Sequence, residues 1–244
     1  MYQKIKNVIF RIIPRSFFLR FEKWIRLFIS LFYAGNKVHC PICEKSFSRF
    51  IGNNEELLCP RCGSLGRQRR LWLLLNNELK FEKEDRILHF SPARVLQNKL
   101  RKVYHNYITT DYVDEFPADK HYDITNIPEP DNSFDGIICY HVLEHIPDDK
   151  KAMDELFRIL SPNGKLIVQT PFKDGDIYED EAINTPELRR EHYGQEDHLR
   201  IYSVEGLQER LKDVGFNSEI IDLSEKDEKE QGLKFQEQII VCRK

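Results

Sequence analysis

SFDGIICYHVLEHIPDD, running from Ser133 to Asp149, opens in turn residues and passes into the apolar run Gly136-Ile-Ile-Cys-Tyr140. It then changes abruptly to His141-Val-Leu-Glu-His145, and Pro147 with two aspartates closes it. Five apolar residues bounded by turn residues predict a strand buried on both faces, as in the middle of a parallel sheet. Polar groups just past the carboxyl end of such a strand stand where open α/β sheets bind ligands. The stretch therefore predicts a binding edge, with His141, Glu144 and His145 on it.

Outward from this stretch, strands and helices alternate. Arg86–Phe90, Tyr107–Asp111, His121–Thr125, Gly136–Tyr140 and Lys165–Thr170 read as strands, with helices over Val95–Val103 and Lys151–Leu160 between them. Ser161-Pro-Asn-Gly164 is expected to stop the second helix. A helix from Ser203 ends at Gly215, and strands follow at Ser218–Leu223 and Gln236–Cys242. This alternation predicts an α/β fold with a doubly wound, Rossmann-like, mostly parallel sheet over residues 80–244.

Two Cys-Pro-x-Cys turns precede that domain, Cys40/Cys43 and Cys59/Cys62, fifteen residues apart. Each turn can aim two thiolates at one ion, and two turns complete a tetrahedral site. All four positions are cysteine, so the expected metal is a structural zinc with no open coordination position. Residues 40–79 are thus a zinc ribbon with a hairpin turn at Gly52-Asn-Asn and a linking helix, RQRRLWLLLNNELK. Ribbons often grip nucleic acid, and Arg61, Arg67, Arg69 and Arg70 lie nearby; the same arginines also suit the solvated side of the helix.

Charge is unevenly spread. Residues 1–39 hold eight Lys/Arg against Glu22, a net +7, while the rest carries 29 basic and 39 acidic side chains, a net −10. Within this basic arm, wound at 100° per residue, Phe17, Phe18, Phe21, Trp24, Ile25, Leu27, Phe28, Leu31 and Phe32 share one half of a helix over residues 16–33, and Glu22, Lys23, Arg26 and Ser30 the other. Its uncharged run is far short of the ~20 residues a spanning helix needs. Two roles stay open: an interfacial helix on an anionic membrane, or an apolar face packed on the body or a second subunit. No secretory signal is recognisable, and the cysteine pattern suits a reducing, cytoplasmic location, peripheral on the inner membrane face if the helix meets lipid. Oligomeric state is not legible.

Residues 86–242 resemble class I S-adenosylmethionine-dependent methyltransferases of the group with a His-Val-Leu-Glu-His segment after the fourth strand. The carriers are SFDGIICYHVLEHIPDD, the helix end Phe157-Arg-Ile-Leu, SPNGKLIVQTPF and Asp213-Val-Gly-Phe216. The resemblance implies S-adenosylmethionine as cofactor. It departs from the family at the first strand, where His89-Phe-Ser-Pro-Ala93 replaces a Gly-x-Gly turn; Ser91 as N-cap, Pro92 as first helical residue and small Ala93 offer another way to present backbone donors. Asp111, twenty residues after Ser91, has the spacing of the acidic residue that takes ribose hydroxyls. By position Asp123 and Ile124 resemble the pair flanking the adenine, with a turn-capping role for Asp123 equally open, and Tyr140 lies beside the cofactor. The same resemblance puts His141 next to the transferred methyl, as general base or orienting group.

His141-x-x-Glu144-His145 also matches a zinc-protease pattern, but that chemistry needs both histidines on one regular helix, which a preceding strand and Pro147 preclude. The charged insertion from Phe172 to Tyr202 leaves the fifth strand's carboxyl end as a candidate lid. His145 together with His198, Arg200 and Tyr202 at its return are candidate substrate contacts. The acidic body suits a cationic cofactor more than a polyanion. The leading expectation is methyl transfer to a small-molecule or glycan/lipid-linked acceptor. RNA methylation through the ribbon, or a non-catalytic binding protein, are the alternatives.

Overall fold

The computed structural model describes residues 15–52, 57–113, 117–221, 229–233 and 237–244. The chain divides into two units: Met1–Glu78 with Leu223–Phe235, and Leu79–Asp222 with Gln236–Lys244. The return of 223–235 to the first unit was not expected.

The first unit starts with helix α1 (Arg15–Leu31), followed by the antiparallel pair β1 (Ala34–Cys40) and β2 (Lys45–Phe47). The predicted turn at 53–54 lies outside the described residues, but its flanks are joined: Ile51 and Leu58 exchange backbone hydrogen bonds of 2.9 and 2.7 Å. Helix α2 (Gly66–Leu73) widens into a π-helical turn through Leu79. Its Arg69 and Arg70 are fully buried, which corrects the expectation that they solvate an exposed side.

Among the described residues the second unit holds six strands in the order β4-β3-β5-β6-β8-β7. These are β3 (Arg86–Phe90), β4 (Asn106–Thr110), β5 (Phe134–Tyr140), β6 (Leu160–Gln169), β7 (Asn217–Ile221) and β8 (Ile239–Arg243), with β3 to β6 mutually parallel and β8 antiparallel to both its neighbours. Between them run α3 (Arg94–Leu100), α4 (Asp149–Ile159), α5 (Pro186–Tyr193) and α6 (Val204–Val214). The strand predicted at His121–Thr125 does not form; a single bridge, Thr110 to Lys120, marks its place. Side chains take over its ladder: the Asp119 carboxylate accepts from Thr109 N at 2.9 Å, and Tyr122 N donates to Thr110 Oγ1 at 2.9 Å.

The prediction for β5 holds in detail. Ile137, Ile138 and Cys139 are completely buried between β3 and β6. Gly136 is required there, because a Cβ would stand 2.7 Å from the Phe81 ring. One face is closed by Ala152, Met153, Leu156 and Ile159 of α4 together with Leu207 and Leu211 of α6. The apolar spacing along each helix follows its turn, and burial of each leucine, isoleucine or methionine among them contributes roughly 1.5–3 kcal/mol. Asp148 caps α4 through Lys151 N at 3.0 Å, and Ser203 caps α6 through Gly206 N at 3.1 Å.

From β3 the chain crosses to β4 on one side and later to β5 on the other. Strand order therefore reverses at β3, and the crevice lies beyond the carboxyl ends of β3, β4 and β5. Ser91, Asp111 and His141 are the residues that follow those three ends.

Candidate active site and four-cysteine centre

Two of these three residues are in left-handed backbone: Ser91 has φ +45° and His141 φ +56°. That conformation costs a residue with a Cβ roughly 1–2 kcal/mol and persists only where the surroundings enforce it. Here Ser91 N donates to Thr110 O at 2.7 Å and His141 N to Gln169 O at 2.8 Å, tying each turn to the neighbouring strand end. Strained turns of this kind gather at functional sites. Ser91 is not the N-cap the sequence suggested; Ala93 takes that place, without a side-chain bond, and α3 begins at Arg94. What Ser91 does instead is adopt the backbone conformation a glycine would favour at this turn.

Asp111 is 2% exposed, its backbone held by Lys120 O at 3.2 Å and by His121 Nδ1 on its own carbonyl at 3.0 Å. His89 is buried with its ring on the Tyr107 hydroxyl at 2.7 Å, and burial drives its pKa down to about 3. Its side chain is thus committed to the sheet, which leaves only its backbone for a cofactor. Asp123 is exposed and caps its own turn, Oδ1 accepting from Thr125 N and Oγ1 at 2.8 Å each, bonds that lower its pKa. Ile124 is packed in the hydrophobic core. The structure thus places Asp123 as the cap of its own turn and Ile124 in the core.

Beyond β5, Tyr140 packs edge-on against the His141 ring, centroids 5.6 Å apart. His141 Nδ1 lies 3.3 Å from Glu144 Oε1, and His141 Nε2 is buried with no partner among the described residues. Glu144 is 1% exposed, and its Oε2 likewise has no partner. Residues Leu143–His145 form a 3₁₀ turn rather than a regular helix, as the protease argument required. Gln169, at the end of β6, is a further residue of this site that the sequence reading missed: its Oε1 is buried and unpartnered. A lone amide closing the apolar run KLIVQ was the available signal.

The insertion's return strand separates the four proposed substrate contacts. Arg200 donates to Ile146 O at 2.5 Å, Pro147 O at 3.0 Å and Glu179 Oε2 at 2.8 Å. Tyr202 is wholly buried, and its hydroxyl donates to Asp149 Oδ2 at 2.5 Å; burial and the Asp149 charge push its pKa up. Both residues are spent on clamping the insertion to the loop after β5, so they position the site instead of meeting a substrate. His198 and His145 remain at it, rings edge to face with centroids 4.8 Å apart. Burial lowers the His198 pKa.

In the first unit all four ribbon cysteines are free thiols whose sulfurs converge within 4.8 Å of one another. The pairs Cys40/Cys62 and Cys43/Cys59 stand 3.7 Å apart, and sulfurs held about 2.3 Å from one zinc would be about 3.8 Å apart. Left-handed Glu44 and Gly63 close the two knuckles, their N–H groups donating to Cys40 O at 2.8 Å and Cys59 O at 3.0 Å. Ser64 Oγ is 3.4 Å from Cys40 Sγ and 3.2 Å from Cys62 Sγ. Arg69 lies beneath, donating to Ser64 O at 2.6 Å, Leu57 O at 2.9 Å, Gln231 O at 2.7 Å and Gly232 O, with its guanidinium over the Phe50 ring. Burial disfavours its charge and the four sulfurs favour it. A zinc tetrathiolate carries a net −2, so a buried arginine is the counter-charge such a centre calls for.

Residues 67–219 match a family described as a methyltransferase domain. The chain belongs to that family. The family's methyl donor is S-adenosylmethionine. An uncharacterised protein of Methanocaldococcus jannaschii is 46% identical over 57 residues, 23% of this chain and 25% of that protein. A tRNA U34 carboxymethyltransferase of a Sulfurovum species is 27% identical over 152 residues, 62% of this chain and 46% of that protein. The matched stretches thus span less than half of these curated relatives. An S-adenosylmethionine-dependent methyltransferase from Mesorhizobium loti, known from its crystal structure, is 14% identical, with 71% of this chain and 97% of that one superposed at a TM-score of 0.52, a likeness of fold alone.

Proposed function

We propose that the chain methylates a small-molecule or glycan/lipid-linked acceptor, with S-adenosylmethionine as donor and a structural zinc in the four-cysteine centre. The observation that carries this reading is the alignment of Ser91, Asp111 and His141 at three adjacent parallel strand ends, two of them in strained turns. S-adenosylmethionine, when bound, supplies a methyl group on a sulfonium. Asp111 would accept the ribose hydroxyls, and the backbone of the Ser91 turn would approach the methionine end. Glu144 Oε1 holds the Nδ1 proton of His141, which leaves Nε2 as the lone pair that can take a proton from an acceptor hydroxyl. Burial of that nitrogen excludes competing water.

The membrane part of the reading rests on α1. Three of its polar residues face inward while Lys23 stays exposed: Glu22 and Arg26 pair at 2.8 Å and are both largely buried, Arg26 lies against Gly63, and Ser30 is buried. Apolar side chains of its second half and of Phe32 just beyond it face outward, with Trp24 68%, Phe28 63%, Leu31 65% and Phe32 74% exposed. A contiguous apolar stripe of this kind marks an interaction surface, and the basic residues concentrated in the arm favour an anionic bilayer. Among the described residues no helix is long and apolar enough to cross a membrane. The full chain should float with vesicles containing phosphatidylglycerol and stay down with pure phosphatidylcholine. Trp24→Glu with Phe28→Glu should abolish flotation. A chain that never floats, or that scatters light as a dimer masking the stripe, contradicts the membrane assignment.

RNA is the second reading, because one relative is named for a tRNA modification. Against it, two of the four ribbon arginines are buried, so the electrostatic grip is halved. Incubation of the zinc-loaded chain with donor carrying a labelled methyl and cell extract decides between them. Label is expected in the small-molecule or lipid fraction; label in RNA would reverse the order of the two.

A further inference from the structure

Glu144, His145 and His198 bring one carboxylate and two imidazoles together, with ligand atoms all within 4.8 Å of one another. The arrangement is built from both sides. Glu144 and His145 come from the 3₁₀ turn after β5, and His198 comes from the insertion, whose Leu199 N donates to Glu144 O at 2.9 Å. Arg200 clamps the same two segments through Leu143, Ile146 and Pro147 carbonyls.

The outer contacts prepare each group as a ligand. His198 Nδ1 is 3.2 Å from Tyr193 O, and His145 Nδ1 is 3.3 Å from Asp197 O and 3.2 Å from Asp197 Oδ2. Carbonyl and carboxylate oxygens can only accept, so Nδ1 is the donating nitrogen of each ring and Nε2 the one available to ligate a metal. Glu144 has one oxygen toward His141 and the other buried without a partner. A buried carboxylate oxygen with nothing to bond is costly unless a cation meets it.

We propose that Glu144, His145 and His198 bind a divalent transition-metal ion whose remaining positions take an oxygen of the methyl acceptor. Two imidazoles with one carboxylate suit manganese, iron, cobalt or zinc better than magnesium or calcium. Three protein ligands leave coordination positions open, unlike the four-cysteine centre. Ligand atoms about 2.1 Å from one ion lie at most about 4.2 Å apart, so side-chain adjustment on the order of half an ångström closes the site. The zinc-protease pattern would have made His141 and His145 the ligands; the fold instead substitutes His198 for His141 and makes Glu144 a ligand. The metal site stands on its own geometry, whereas the acceptor part rests on the methyl-transfer reading.

Manganese is the probe, since it does not compete for thiolates. The full chain, zinc-loaded at its cysteines and stripped of weakly held metal, is titrated with Mn²⁺ while electron paramagnetic resonance reads the free ion. One Mn²⁺ per chain is expected, weakened at least tenfold by His145→Asn and by Glu144→Gln. His145, about a third exposed, is the substitution best tolerated by the fold, and circular dichroism verifies both variants. A free-ion signal unchanged by wild-type protein, or binding unchanged in folded His145→Asn, overturns the metal site. S-adenosylhomocysteine titrated into the same samples separates the two claims: nucleoside binding without Mn²⁺ binding removes the metal alone, and Mn²⁺ binding without nucleoside binding removes only the acceptor role.

Discussion

Replacing Cys59 with serine is expected to abolish thiolate-held zinc, from one ion per chain to essentially none, as counted by its release with a mercurial reagent. A tetrathiolate site contributes on the order of 10 kcal/mol to the folding of a small module, more than the module's core can replace. Phe47, Phe50 and Ile42 are buried around the cysteines, and losing the ion should expose them to a hydrophobic dye. Arg69 adds to the penalty, because without the thiolates its buried cation has lost its counter-charge while its carbonyl partners stay in place. The second unit has a separate hydrophobic core, so its affinity for the nucleoside product should change less than about threefold. Full zinc retention by Cys59→Ser would contradict the four-cysteine site. Equal loss of nucleoside binding would contradict its purely structural role.

How far the residues themselves foretold this molecule depends on the range of the contacts involved. Strand β5 was legible because its burial is written into consecutive residues, Gly136 to Tyr140. The cysteine centre was legible because metal geometry fixes the spacing of its ligands. Arg200 and Tyr202 were misread as substrate contacts, since their partners, Pro147, Ile146 and Asp149, lie more than fifty positions away. Arg69 was misread for the same reason: its acceptors Gln231 and Gly232 come from a chain segment more than 160 residues distant. The missing strand at His121–Thr125 shows a different limit. Its β-propensity was adequate, but Asp119, Thr109 and Thr110 satisfy the local backbone with side chains before a ladder can form.

His141 carries the second large prediction. Its left-handed backbone, its bond to Gln169 O and its Glu144 contact hold the ring in one place. A positioned general base contributes typically 10²–10⁴-fold to rate, so His141→Ala should lower labelled-methyl transfer to a hydroxyl acceptor by about that range. Cofactor affinity should stay within about twofold, because the residues proposed to meet the cofactor, Ser91 and Asp111, follow the ends of β3 and β4. An alanine also relieves none of the left-handed strain, so any stability change reports lost contacts alone. Asp111→Ala should behave in the opposite way. It removes a buried carboxylate at the end of β4, and losing a charge-assisted hydrogen bond of about 1.5–3 kcal/mol corresponds to a tenfold or greater loss of affinity.

Calorimetric titration of S-adenosylhomocysteine into folded, zinc-loaded protein therefore tests the central claim most directly. The wild type and His141→Ala should bind one molecule per chain with similar affinity, and Asp111→Ala should bind at least tenfold more weakly. No heat with the wild type, or undiminished binding by Asp111→Ala, would contradict a methyl-transfer cleft at the carboxyl ends of β3, β4 and β5.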